Sequence, residues 1–125
     1  MIIATSTLTS RTCRNCAALG PAGAALGVVT LFSDAANLKL QFDIYHRKIM
    51  HGDVLTGLKT LMPIIGHVQI AAVPLRHESC TGELDDFRIL SALDDLGYTG
   101  FVGCEYRQAA GTVAGLGCLD ACRKG

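Results

Sequence analysis

The sequence predicts an α/β fold built on a parallel sheet, and three observations lead to this prediction. Three short strand-like runs, at 38–43, 66–70 and 101–105, alternate with stretches of helical periodicity. The connections between them are about 20 to 30 residues long, which favours parallel strands joined by helical crossovers. Each run carries near its end a residue that can bind a metal or move a proton, as in enzymes whose active site lies at the carboxyl edge of parallel strands. Three such units are too few to close a barrel.

The composition narrows the class of protein. The chain has 125 residues, of which 50% are hydrophobic and 18% are charged, so it is long enough for one domain and too apolar for general disorder. Its formal net charge is zero and no basic face is evident, so nucleic acid is not an expected partner. The apolar stretch 17–32 is short and interrupted by glycine and proline, so no membrane partner is expected either.

Six cysteines would suggest disulfides in a small secreted protein, but the places of these cysteines in the sequence argue against that. Cys13 and Cys16 form a single C-x-x-C motif, and the next cysteine, Cys80, lies too far along the chain to complete a zinc site. Cys104 falls in an apolar strand, and the remaining two cysteines fall in a predicted helical tail. Reduced thiols in a cytoplasmic protein are therefore predicted.

A change of composition divides the chain at about residue 36. The first 33 residues contain no Asp or Glu and begin with a segment rich in Ser, Thr and Arg. Residues 1–36 are therefore predicted to be an atypical leader, disordered or non-native. A signal or transit peptide is the alternative, since a transit peptide is likewise rich in Ser, Thr and Arg and free of acidic residues. Residues 37–125 form the predicted domain.

The elements of this domain follow in order, each with its own signals. Alternation of apolar and polar residues marks the strands, and an apolar period of 3.6 marks the first two helices. Asp53 can cap the first of these helices, and proline or glycine ends them. The predicted elements are a strand at 38–43, a helix from Asp53 to Pro63, a strand at 67–71, a loop at 73–82, a helix at 84–96 ended by Gly97, a strand at 100–105 and a short helix at 113–122.

Polar residues share one face of the three strands. Asp43, Gln69 and Glu105 alternate with apolar residues, which an antiparallel sheet with one wet face would also explain. On parallel strands they converge, and buried acids and amides need a cation or a polar ligand. Their oxygen atoms suit Mg or Mn better than zinc. His46 and Arg76 are expected over the mouth of this site, although a helix cap at Asp43 and a solvated loop charge at Arg76 are the simpler alternatives. The neighbouring His77 and Glu78 are interpreted as surface groups of the loop.

These residues also carry a family resemblance. The run Asn37-Leu-Lys-Leu-Gln-Phe-Asp-Ile-Tyr-His46, then 66–71, 76–78 and 103–107, closely resembles the hydroxypyruvate isomerase family of xylose-isomerase-like TIM barrels, which includes the 2-oxo-tetronate isomerases. The resemblance covers residues 37 to about 120 and implies a partial (β/α)8 barrel, namely its last three β/α units. It further implies isomerisation of a small hydroxy-oxo acid, such as hydroxypyruvate to tartronate semialdehyde, through an enediolate that a divalent metal stabilises.

The resemblance assigns a role to each site residue. It implies that Asp43, Gln69 and Glu105 bind the metal, that Glu105 is also a catalytic acid/base, and that His46 and Arg76 bind the substrate. The second glutamate of the family's acid/base pair has no counterpart, because the other two glutamates lie in a different loop and helix. A truncated isomerase of low or no activity is therefore expected.

Two alternatives to this function stay open. The first is a non-enzymatic half-barrel that needs a partner chain or forms a homo-oligomer through its exposed strand edges. The second is a related sugar epimerase, which Gln69 and the run 76–78 make less favoured.

Overall fold

A parallel four-stranded sheet is the centre of the structure. A computed structural model of the chain describes residues 2–5 and 38–117. The strands are β1 (Ile2–Thr5), β2 (Leu38–Asp43), β3 (Ile65–Ile70) and β4 (Val102–Cys104), in that spatial order. All three pairings between neighbouring strands are parallel, so the antiparallel alternative is wrong and the predicted α/β fold is confirmed.

Helices connect the strands after β2. They are α1 (Ile44–His51), α2 (Val54–Leu61), α3 (Asp86–Asp95) and α4 (Thr112–Gly115), and a 3-10 turn (Met62–Ile64) leads from α2 into β3. The passages from β2 to β3 and from β3 to β4 therefore each contain at least one helix, which is the crossover that parallel pairing requires. None of the helices described between residues 38 and 117 is long and apolar enough to cross a membrane.

The core lies between the sheet and the helices. Leu40 and Phe42 from β2 and Val68 and Ile70 from β3 are each at most 4% exposed, and they belong to the face predicted to be apolar. The helices cover this face with five buried side chains: Ile44, Val54, Leu58, Ile89 and Leu93. The opposite face of the sheet is therefore left to the polar residues of the same strands.

Two helices begin at aspartates whose side chains cap them. Asp43 accepts a hydrogen bond from the His46 N–H, and Asp85 accepts one from the Arg88 N–H. Asp53 precedes α2 as predicted, but its carboxylate makes no cap bond and instead pairs with Arg47 at 2.8 Å. At α2 the aspartate in the sequence therefore predicts where the helix starts, but it does not predict which group the aspartate side chain contacts.

A buried carboxyl group fixes the loop before α3. Asp86 is 2% exposed, and its Oδ2 accepts a hydrogen bond from the Cys80 N–H. Burial raises the pKa of Asp86, the hydrogen bond from Cys80 partly offsets this, and the nearby Asp85 charge raises it further. The carboxyl thus anchors the 71–85 loop at a cost in charge solvation.

Some predicted boundaries differ from the structure. Helix α1 was not expected, and β3 begins two residues earlier than predicted. Strand β1 lies inside the 1–36 segment, for which no strand was expected. Its residues Ile2-Ile3-Ala4-Thr5 are mostly β-branched, and it pairs with β2 through the backbone. The predicted helix 113–122 is present as α4 up to residue 115, and its part from 118 onward lies outside the described residues, as do Cys13, Cys16, Cys118 and Cys122.

Candidate active site

The three predicted ligands lie at neighbouring positions of the sheet edge. Asp43 is the Cα partner of Gln69 across β2 and β3, and Gln69 is the partner of Gly103 across β3 and β4. Glu105 follows β4, and its N–H donates to the Ile70 carbonyl at 3.1 Å, which continues the sheet pattern for one more bond. Parallel strands present their carboxyl ends at one edge, so these residues from three strands come together.

Asp43 is both the last residue of β2 and the cap of α1. Its side chain is 7% exposed, and Oδ1 accepts the His46 N–H at 3.1 Å. The His46 ring returns to the same carboxylate, with Nε2 3.6 Å from Oδ2, and packs edge-on against Tyr45 at 5.3 Å between centroids. The helix-cap interpretation and the site interpretation of Asp43 are therefore both consistent with its contacts.

Arg76 connects the two acids of the site. Its Nη2 lies 2.9 Å from Glu105 Oε1 and 3.7 Å from Asp43 Oδ2. The guanidinium also lies over the Tyr45 ring, 5.1 Å from its centroid, which is a favourable cation–π distance. Arg76 is thus a bridging cation and not a solvated loop charge, since its side chain is 22% exposed.

The remaining polar face adds residues to which the sequence alone gave no role. The Gln41 Nε2 donates a hydrogen bond to Gln69 Oε1, which orients that amide. His67 lies on the same face, and a Cβ atom at Gly103 would come within 3.0 Å of its Nε2, so glycine leaves room for the imidazole. The alternation of β2 and β3 contained this signal, because Gln41 and His67 share the register and face of the predicted ligands.

His77 and Glu78, which follow Arg76 in the loop, both contact the loop after β4. Glu78 is 8% exposed, and its carboxylate accepts the Ala109 N–H at 3.2 Å. The interpretation of Glu78 as a surface group is therefore wrong, because it ties this loop to the loop after β4. The His77 Nδ1 lies 2.8 Å from the Arg107 carbonyl and makes a second such tie. Both contacts hold the two residues that follow Arg76 against the loop after β4.

The polar residues at this edge carry oxygen donors of the types that a hard cation takes. Two carboxylates and one amide oxygen lie at the edge, and the Arg76 guanidinium already stands between the carboxylates as a cation. No group of three or more His, Cys, Asp or Glu side chains that could hold a metal ion occurs among the residues described here. Three protein donors at this edge are counted only when the Gln69 amide is included with the two carboxylates. Asp43, Gln69 and Glu105 are the residues that would hold such an ion.

Comparison with known proteins assigns the chain to a family. The family model described as "Xylose isomerase-like TIM barrel" matches residues 11–122, so the chain belongs to this family. The match begins within the 1–36 segment, to which the sequence resemblance did not extend. It confirms the predicted class of barrel and the place of the chain in it as a partial set of β/α units.

Individual proteins within reach of this comparison include named isomerases and a solved structure. The chain is 56% identical over 85 residues to a 2-oxo-tetronate isomerase of Cupriavidus necator, covering 68% of this chain and 33% of the relative. It is 40% identical over 87 residues to the hydroxypyruvate isomerase of Escherichia coli, covering 70% and 34%. A crystal structure named as an AP endonuclease, family 2, from Brucella melitensis superposes with a TM-score of 0.69 at 39% identity, over 77% of this chain and 38% of that one. The chain therefore spans about a third of the length of the curated relatives it matches.

Proposed function

We propose that the sheet edge formed by Asp43, Gln69 and Glu105 belongs to an aldose–ketose isomerase site for a small hydroxy-oxo acid. The observation that supports this most directly is the convergence of two carboxylates from separate parallel strands on one cation, that of Arg76. The names of the relatives, hydroxypyruvate isomerase and 2-oxo-tetronate isomerase, supply the substrate class. Hydroxypyruvate is the substrate proposed for testing.

The reaction moves one proton between adjacent carbons. Glu105 takes a proton from C3 of hydroxypyruvate, the electron pair forms an enediol double bond between C3 and C2, and the proton returns to C2 to give tartronate semialdehyde. The hydroxyl proton moves from the C3 oxygen to the C2 oxygen in the same conversion. Glu105 can reach solvent and substrate, because its side chain is 54% exposed. A Mg or Mn ion held by Asp43, Gln69 and Glu105 would stabilise the negative charge on the enediolate oxygens.

Two further residues orient the substrate. The Arg76 guanidinium offers several N–H donors in one plane, which match a carboxylate group. The His46 ring lies beside the Asp43 carboxylate and can donate to a hydroxyl or carbonyl oxygen of the bound acid. If the carboxylate of the substrate binds Arg76, the C2 and C3 atoms of the substrate would lie near Glu105, because Arg76 and Glu105 are neighbours in the site.

The chain provides one glutamate to this edge. Of its three glutamates, Glu78 is bonded to the Ala109 N–H and Glu83 lies 3.8 Å from Lys48. A single acid/base group must both remove and return the proton, and general acid–base groups contribute about 10²- to 10⁴-fold each. We therefore expect turnover well below that of an isomerase with a pair of glutamates.

Deuterium exchange tests the proposal even if turnover is slow. Hydroxypyruvate in D2O with Mn or Mg and the 125-residue protein should lose its C3 proton signal in the NMR spectrum faster than without protein. Glu105→Gln should reduce the enzyme-dependent exchange by about 100-fold or more, whereas Glu83→Gln, at an exposed position, should leave it unchanged. Exchange that is equal with and without the protein, or equal in wild type and Glu105→Gln, would contradict the proposal.

A second candidate role is association through the sheet edge. Among the described strands β4 pairs only with β3, and Phe101, just before it, is 90% exposed. A second copy of the chain could add its strand there, because an unpaired edge presents free backbone groups. Light scattering after size exclusion tests this, since Phe101→Lys should shift an oligomer to monomer. A wild-type protein that is already a monomer would exclude it.

A further inference from the structure

Arg76 occupies the place between the two acids at which a divalent ion would be expected. Its Nη2 contacts Glu105 Oε1 at 2.9 Å and approaches Asp43 Oδ2 to 3.7 Å, and its Nε lies 3.4 Å from the Glu105 carbonyl. Guanidinium and divalent ion are both positive and both need these carboxylate oxygens. Full pairing of the acids with both cations at once is therefore unfavourable.

The backbone of Arg76 is held by hydrogen bonds, whereas its guanidinium can move by rotation of the side chain. The Arg76 N–H donates to the Ala72 carbonyl at 2.8 Å, and its own carbonyl accepts the Arg107 N–H at 2.7 Å. Its φ is +58°, a left-handed conformation that a non-glycine residue adopts only where its surroundings hold it. The guanidinium can therefore leave the carboxylates by rotation of the side chain, without any change of the loop.

The Tyr45 ring offers the guanidinium a second point of support. The guanidinium carbon lies 5.1 Å from the ring centroid, and the Tyr45 hydroxyl donates to the Pro74 carbonyl at 3.2 Å, which fixes the ring against the same loop. A cation–π contact does not depend on either carboxylate. Arg76 thus keeps a favourable neighbour when it gives up its ion pairs.

We infer that Arg76 is an internal counter-ion of Asp43 and Glu105, that a divalent ion displaces it from them, and that displacement frees its guanidinium to bind the carboxylate of the substrate. This inference rests on the proposed function and adds an order of events to it. Metal binding comes first and converts Arg76 from a partner of Asp43 and Glu105 into a receptor for the acid. Binding of metal and of acid are then positively coupled, and the coupling is reciprocal.

The test measures binding of Mn²⁺ alone, by the electron paramagnetic resonance signal of the free ion, without any turnover. Arg76→Asn removes the charge, and Asn tolerates a left-handed φ better than most residues. We expect Arg76→Asn to bind Mn²⁺ about tenfold more tightly than wild type, and Arg76→Lys to fall between them because a compact ammonium replaces the fork of donors. Arg47→Gln is the matched control, since it removes an equal charge and an ion pair, with Asp53, outside the site, and its affinity should equal that of wild type.

A second readout excludes a purely structural explanation. Without metal, Arg76→Asn should melt at a lower temperature than wild type because two acids lose their shared cation, and saturating Mn²⁺ should raise its melting temperature by more than it raises that of wild type. Equal or weaker Mn²⁺ binding by both Arg76 variants would overturn the displacement while leaving the metal site itself in place. Absence of Mn²⁺ binding by wild type and variants alike would overturn both the displacement and the proposed metal ligands.

Discussion

Gln41 and Gln69 are joined by a side-chain hydrogen bond across β2 and β3, in which the Gln41 amide donates to the Gln69 Oε1. This bond lies on the polar face of the sheet, and Gln69 is the Cα partner of Asp43 across the two strands. An amide that is to present its oxygen to a cation must be held in one orientation, and Gln41 provides a donor that does so.

Gln41→Met should therefore weaken Mn²⁺ binding without removing any proposed ligand. Residues that orient a ligand typically contribute about 10- to 100-fold to metal affinity, and we expect about tenfold here. Lys39→Met, two residues earlier on the same face of β2, is the control for a general effect of the strand. If both variants bind Mn²⁺ as tightly as wild type in the same titration, Gln41 has no role in orienting Gln69.

The buried carboxyl of Asp86 should give the protein a measurable pH dependence of stability. Burial holds its pKa above the ordinary value of 3.8, so the folded protein keeps this proton to a higher pH than the unfolded chain does. The stability that the raised pKa contributes to the folded protein is fully present below pH 3.8 and is lost as the pH rises through the raised pKa of Asp86. Asp86→Asn keeps an acceptor for the Cys80 N–H and carries no charge, so it should gain stability relative to wild type over that range.

Urea unfolding at a series of pH values measures this difference directly, because all other titrating groups are common to both proteins. Asp95→Asn, an exposed position of the same helix α3, serves as the control for a general charge effect. A difference between Asp86→Asn and wild type that is the same at every pH would show that the folded environment does not shift this carboxyl group.

Glu78 should contribute to stability although it lies in a loop. Glu78→Ala leaves the Ala109 N–H without its carboxylate partner and should lower the free energy of unfolding by about 1–3 kcal/mol. Limited proteolysis should also cut the segment between Glu105 and Gly111 faster in this variant. Glu83→Ala is the control at an exposed glutamate, and its free energy of unfolding should stay within about 0.5 kcal/mol of wild type. Equal losses of unfolding free energy in Glu78→Ala and Glu83→Ala would argue against a stabilising contact between Glu78 and the Ala109 N–H.

The aspartates before α2 and α3 should differ in their effects. Asp85 accepts the Arg88 N–H at 3.0 Å, so Asp85→Ala should cost about 1 kcal/mol and Asp85→Asn much less. Asp53 makes no cap bond and pairs with Arg47 at a half-exposed position, so Asp53→Ala should cost less, and 1 M NaCl should reduce its effect further. Thermal or urea unfolding of the three variants gives the order. A larger loss for Asp53→Ala than for Asp85→Ala would contradict the assigned contacts.

The strands and the core were accessible to sequence reasoning because period-2 alternation reports directly which face is buried. Leu40, Phe42, Val68 and Ile70 were predicted on one face and are all in the core. Helix α1 was missed because Ile44 is its one buried residue, so it has no apolar stripe to reveal it. Only the cap at Asp43 marks its start, and a cap residue at a strand end is also what a site ligand looks like.

The site was predictable at the level of the sheet edge and not at the level of its contacts. Strand-end register placed Asp43, Gln69 and Glu105 together in advance, since parallel strands share one carboxyl edge. The bridge made by Arg76 depends on a loop whose path includes left-handed φ values at Arg76 and Cys80, neither of which is a glycine. Local sequence does not encode such a path, because contacts with residues about 30 positions away impose it. Metal binding and the substrate stay predictions that the titrations above can test.

The helix cap at Asp43, together with the metal-ligand role proposed for it, would restrict the residues that this position can hold. A helix cap alone would accept Asn or Ser, and an acidic ligand alone would accept Glu. Asn would keep the bond to the His46 N–H and lose the charge, while the longer Glu side chain would keep the charge and lose the short reach of the cap. Aspartate would meet both demands, so under the proposed role a substitution at position 43 would have to be accompanied by changes in both α1 and the site.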